Sequence, residues 1–221
     1  MAKMSPEVYF IVLIAFVVVV LYFERSAIRQ HISTRDFDVY SAPKDVLVSI
    51  PKNPAPGQEN SAIVIIGGMY GSGPRWIIDE IPYDIRQTRN IILGEYFYSV
   101  EDTLNMGTQL LKSKGIGLDG LDFTSISGFS AGGSQLMNSY EPHTFPRVFL
   151  IDPSATKAQS YKDFEGEVVF LYGWDVHEDV YESEYREIIE EVLDADGIVD
   201  EVEIDHYEFP NYTFNKYKKY L

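Results

Sequence analysis

The stretch from Leu121 to Asn138, LDFTSISGFSAGGSQLMN, demands a strand, a sharp turn and a helix in immediate succession. Phe123, Ser125 and Ser127 alternate with Thr124 and Ile126, the two-residue period of a strand, and the run then meets Gly128-Phe129-Ser130-Ala131-Gly132-Gly133 before turning helical. Glycine two residues before and two after Ser130 completes a G-x-S-x-G pattern. A turn this tight brings the strand and helix backbones too close for a Cβ, and its serine sits strained with the hydroxyl exposed. Ser130 is therefore a candidate nucleophile. The plainer reading is a glycine-rich turn with an incidental serine.

With 221 residues, 45% of them hydrophobic, the chain can build one domain with a substantial core. It contains no cysteine, which excludes disulfides, thiolate metal sites and a cysteine nucleophile. The formal net charge of -16 argues against a nucleic-acid partner, because phosphate binding needs clustered Lys and Arg. Much of the acid lies between Asp175 and Asp205 and reads as a solvated surface.

Val8 to Phe23, VYFIVLIAFVVVVLYF, is uncharged and almost wholly apolar. A helix there would span roughly 24 Å at about 1.5 Å per residue, slightly short of a hydrocarbon core of ~30 Å. Tyr22, Phe23, Arg25 and Lys3 could extend it by snorkelling. A cleaved signal peptide and a buried core segment compete with a transmembrane anchor, but no small-x-small cleavage site follows the run. We therefore expect residues 1–30 to be a single-pass membrane anchor with its flank, and residues 31–221 to be the globular domain. Arg25, Arg29 and Arg35 against Lys3 favour a cytoplasmic domain by the positive-inside rule.

Beyond the anchor, Phe37–Tyr40 and Val46–Ile50 read as a strand pair, and PKNPAPGQEN at 51–60 as a loop. Ala62–Ile66 is an apolar run of the kind buried on both sheet faces, and it ends in GGMYGSG at 67–73. A helix is expected from Pro74 to Arg86, a strand over Asn90–Gly94 and a helix from Val100 to Lys114. After the serine turn come a helix to Tyr140, a strand over Val148–Ile151 ending in Asp152-Pro153-Ser154, and a strand over Val168–Tyr172 ending in Gly173-Trp174-Asp175. An amphipathic helix over Tyr181–Leu193, a last strand over Val202–Phe209 and a terminal helix from Thr213 complete the series. Strands alternating with helices predict an α/β fold, with a mostly parallel central sheet covered on both faces.

This order, with GFSAGG at 128–133, GGMYGSG at 67–73 and LYGWD at 171–175, resembles the α/β-hydrolase fold family, in its esterase and thioesterase branch, from about Phe37 to Leu221. The resemblance implies that Asp175 is the acid of a catalytic triad, with Asp179 as second choice, and that the backbone N–H groups of Ala131 and Met69 form an oxyanion hole. The connection from Asp152 to Val168 is too short for a cap domain. The glycine loop lacks both the G-x-G-x-x-G spacing and a P-loop lysine, so nucleotide binding is disfavoured, and no residue signature for a cofactor or metal is present.

A serine hydroxyl needs a base to take its proton, and the base works best when a carboxylate fixes its tautomer. Of four histidines, His31 and His143 read as surface residues. His206 follows Asp175 in chain order but falls inside the expected last strand, unless that strand ends at Ile204. His177, after LYGWD, is the other candidate. Two functions follow. The first is a membrane-anchored serine hydrolase that cleaves a small acyl ester or thioester, including a lipid-derived one, through an acyl-serine intermediate on Ser130, Asp175 and His206. The second is an inactive binding or scaffold protein that keeps the fold.

Overall fold

The computed structural model describes residues 36–69, 73–117, 120–139, 145–154, 164–173 and 182–221. The expected membrane anchor lies outside them. Among the described residues no helix is long and apolar enough to cross a membrane.

The strands are β1 (Phe37–Ser41), β2 (Leu47–Pro51), β3 (Ser61–Gly67), β4 (Asn90–Glu95), β5 (Asp122–Phe129), β6 (Arg147–Ile151), β7 (Glu167–Gly173) and β8 (Ile198–Val202). They form one eight-stranded sheet in the order β1-β2-β4-β3-β5-β6-β7-β8. The β1–β2 and β2–β4 pairs are antiparallel, and from β4 through β8 every pair is parallel.

Because successive side chains leave a strand on opposite faces, the continuous apolar runs feed two cores at once. Val64, Ile66, Ile126, Val148 and Leu150 point to one face, where helices α3 (Val100–Ser113), α4 (Ala131–Ser139) and α5 (Glu182–Asp194) bring Leu111, Leu136, Ile188 and Val192. Ile63, Ile65, Phe129, Phe149 and Ile151 point to the other, covered by α1 (Pro74–Glu80), α2 (Tyr83–Thr88) and α6 (Phe209–Lys216) through Ile77, Ile85, Phe209 and Phe214. The α/β expectation, a mostly parallel sheet with helices on both faces, describes this arrangement.

Expected elements are drawn differently in two places. The helix expected from Pro74 to Arg86 is two helices, because Pro82 cannot donate a backbone hydrogen bond and holds the residue before it extended, here Ile81 at φ -74° and ψ 127°. The strand expected over Val202–Phe209 is corrected more heavily: β8 begins at Ile198 and ends at Val202. Asp205 then caps a 3-10 turn over His206–Glu208, its carboxylate accepting the Tyr207 N–H at 2.9 Å. Phe209 opens α6, with Pro210 in its first turn. His206 thus stands on a capped turn just past the last strand.

Candidate active site

Ser130 lies between β5 and α4 with φ 54°, a left-handed conformation that costs a non-glycine residue about 1–3 kcal/mol. The surroundings enforce it. The Ser130 N–H donates to the Ile151 carbonyl at 2.9 Å, and the Ser130 carbonyl accepts from the N–H groups of Ser134 at 3.1 Å and Ser154 at 3.3 Å. The Ser134 hydroxyl donates to the same carbonyl. A Cβ at Gly132 would stand 2.3 Å from the Ile66 carbonyl oxygen, and one at Gly128 would stand 2.6 Å from the Gly132 oxygen. The glycines on either side of the serine therefore let β5 and α4 pass within contact of each other and of β3.

Asp152 follows β6, the strand next to β5, and also has a positive φ, 41°. Its N–H donates to the Leu171 carbonyl at 2.7 Å, anchoring the turn to β7. Its side chain is wholly buried. One carboxylate oxygen accepts the Gly173 N–H at 3.1 Å, and the other lies 2.5 Å from His206 Nδ1. A buried carboxylate supplied with two donors is the arrangement in which its charge is tolerated. In the neutral tautomer that carries its hydrogen on Nδ1, toward Asp152, Nε2 keeps its lone pair.

The His206 side chain is about one quarter exposed (27%). Its ring lies on that of Phe129, the residue before Ser130, with centroids 4.7 Å apart. The imidazole is thus held between the acid at the end of β6 and the last residue of β5.

Of the residues expected at the site, Ser130 and His206 are brought to the same end of the sheet, at the carboxyl ends of β5 and β8. Asp175, Asp179 and His177 lie outside the described residues, and the carboxylate that His206 meets is that of Asp152. In the sequence Asp152 stands only as the end of a strand. The available signal was its place after the apolar run VFLI, on the next strand after the serine turn, where a strand's carboxyl end faces the ligand side of an open parallel sheet. Ala131 opens α4, so its N–H belongs to the first-turn donors that no helical carbonyl satisfies. Met69 stands just past β3 and lines a cleft of about 340 Å³ with Trp76, Glu95 and Phe97. Burial, and then the neighbouring Asp45 charge, push the Glu95 carboxyl above its usual range. A larger cleft, about 720 Å³, runs past Tyr207 between Glu80 and Lys216, and neither Ser130 nor Asp152 lines it. Among the described residues no group of three or more His, Asp or Glu side chains is placed to hold a metal ion.

No family model and no curated protein matches the sequence. Solved structures do. The fluorophosphonate-binding serine hydrolase F of Staphylococcus aureus aligns over 81% of this chain and 94% of its own at a TM-score of 0.55 and 11% identity. A bacterial membrane phospholipase A aligns over 96% of both chains at 0.54 and 13%. A carboxylesterase from Bacillus subtilis aligns over 91% and 97% at 0.53 and 10%. At these identities the likeness establishes the fold. The chain has an α/β-hydrolase-like fold, as its motifs lead one to expect.

Proposed function

We propose that the chain is a serine hydrolase that cleaves a carboxylic ester or thioester, with Ser130 as nucleophile, His206 as base and Asp152, in place of Asp175, as the acid that orients the base. The observation that carries this reading is the contact of the His206 Nδ1 with the buried Asp152 carboxylate, made while the same imidazole rests on the residue next to Ser130. The serine hydrolases and esterases among the similar folds support the reaction class.

In the reaction, Ser130 Oγ attacks the acyl carbon while His206 Nε2 takes the hydroxyl proton, and Asp152 stabilises the imidazolium through Nδ1–H. The tetrahedral oxyanion accepts hydrogen bonds from the backbone N–H groups of Ala131 and Met69, where loss of one donor costs ~100-fold or more in rate. Collapse breaks the bond to the leaving oxygen or sulfur, which receives the proton back from His206, and leaves the acyl group on Ser130. A water molecule deprotonated by His206 then attacks the acyl-serine, and the carboxylic acid departs as Ser130 regains its proton.

The cleft past Met69, which Trp76 and Phe97 line together with Asp45, Arg75 and Glu95, offers an apolar wall to an acyl or alcohol portion. The run Val8–Phe23, read as an anchor, would hold the domain at a membrane and suits a lipid-derived ester. Steady-state hydrolysis of 4-nitrophenyl esters of rising chain length tests the reading. Turnover by the full chain that Ser130→Ala abolishes is expected. Equal turnover by Ser130→Ala would end it.

A further inference from the structure

A hydrogen bond from Nδ1 to a carboxylate restrains an imidazole only softly: the ring is tethered at Cβ, but its last torsion is broad, and it can tilt about the Cβ–Cγ bond with little loss of the hydrogen bond. Nε2 swings through an arc as it does so. Packing must choose the plane, and the His206 ring closes a square with three others. Phe129 lies against the imidazole face at 4.7 Å and 30°, and Tyr207 meets it edge-on at 5.4 Å and 74°. Trp76 touches both supports, Phe129 at 5.8 Å and Tyr207 at 5.7 Å, the latter again edge-on. These separations are those at which aromatic pairs attract beyond their buried area.

We propose that Phe129 and Trp76 are positioning residues for the base: Phe129 sets the plane of the His206 ring, and Trp76 braces Phe129 and Tyr207 against it. The inference rests on the reading of His206 as base. Phe129 is fully buried and is the residue bonded to Ser130, so one rigid element carries both the nucleophile and the floor of the base. Trp76 stands on α1, the helix that follows the Met69 loop, so the square links the helix after the oxyanion loop, the nucleophile strand and the turn bearing the base. Neither residue donates a proton or touches the reacting atoms in this scheme. The effect of Phe129 is on where Nε2 points; Trp76 has that effect besides lining the cleft past Met69.

The test compares the full chain with Phe129→Leu, Trp76→Leu and Trp76→Phe, reading kcat and KM on 4-nitrophenyl acetate and, with histidine-labelled protein, the His206 ring-proton resonances assigned through His206→Gln. A displaced base of this kind costs on the order of 10- to 100-fold in rate. Phe129→Leu is expected to lower kcat by about that much with KM unchanged; its His206 ring protons move downfield merely because the shielding ring is gone, so kcat decides for this variant and the resonances decide for Trp76→Leu, which keeps Phe129. Trp76→Leu should lower kcat less, and Trp76→Phe should restore most of it. If Phe129→Leu does not fold, the Trp76 pair and its resonances decide. Unchanged kcat in the leucine variants of an active enzyme would overturn the inference and leave the triad standing, as would an effect confined to KM. A wild-type chain that turns over no ester would overturn the triad, and the positioning role with it.

Discussion

Asp152 meets two donors with one buried carboxylate, the Gly173 N–H and the His206 Nδ1–H, and its place between them ties the end of β6 to β7 and to the turn after β8. Asparagine at this position keeps the shape and an acceptor for Gly173 but loses the charge, and its amide favours the tautomer that puts the proton on the wrong nitrogen. Asp152→Asn is therefore expected to lower kcat by ~10⁴-fold, the order seen when a triad aspartate becomes its amide. Asp175→Asn should leave kcat unchanged, and steady-state kinetics on the two variants decides between the carboxylates. The sequence pointed to Ser130 because its requirement is local: glycines at 128 and 132 are imposed by backbone contacts within a few residues and with β3. Asp152 was not legible in that way. Its own segment marks it only as the end of an apolar strand, because what selects it as the acid is a hydrogen bond to a residue 54 positions later.

At the scale of elements, the crossing of α4 over β3 and β5 is the contact that permits the serine turn. The Gly132→Ala methyl would meet the Ile66 and Gly67 carbonyl oxygens, backbone atoms that cannot rotate away. Overpacking of this kind costs about 1–3 kcal/mol, to be read from the urea midpoint. Gly117→Ala, where a Cβ meets nothing within 4 Å, should stay within about 0.5 kcal/mol of wild type. A second joint holds α6 to β8: Asp200 accepts from Lys216 Nζ at 2.6 Å and from the Tyr217 hydroxyl at 2.9 Å. Burial first, and then the hydrogen bond to Asp200, push the Tyr217 phenol up to about 12. The fold thus holds the Tyr217 proton more tightly than the unfolded chain does. Its contribution to stability is complete below pH ~10, the ordinary tyrosine value, and is lost as pH rises toward the folded value. The tyrosinate absorbance present in wild type and absent in Tyr217→Phe should accordingly appear near that higher value; a rise near the ordinary one would contradict this. The inner strands were legible because burial on both faces leaves near-continuous apolar runs such as AIVII and VVFLY. β8 was misplaced for the complementary reason. It is a half-exposed sheet edge with no such run, while Val202-Glu203-Ile204-Asp205 alternates like a strand although a cap and Pro210 turn the chain into a helix.

For the whole molecule, the sheet order puts Met69, Ser130, Asp152 and His206 past the carboxyl ends of β3, β5, β6 and β8, the edge at which open parallel sheets take their ligands. Four distant segments reach one place because every strand from β3 onward runs the same way. That is also why the fold could be read from alternating elements, whereas the pairing of acid and base required the assembled sheet. Intact-mass spectrometry of the full chain after incubation with a fluorophosphonate probe tests the central claim, that the assembly activates Ser130. A single adduct, absent from Ser130→Ala and strongly slowed in Asp152→Asn, is the expected result. A folded chain that gains no adduct, or one that gains it equally in Ser130→Ala, would contradict it.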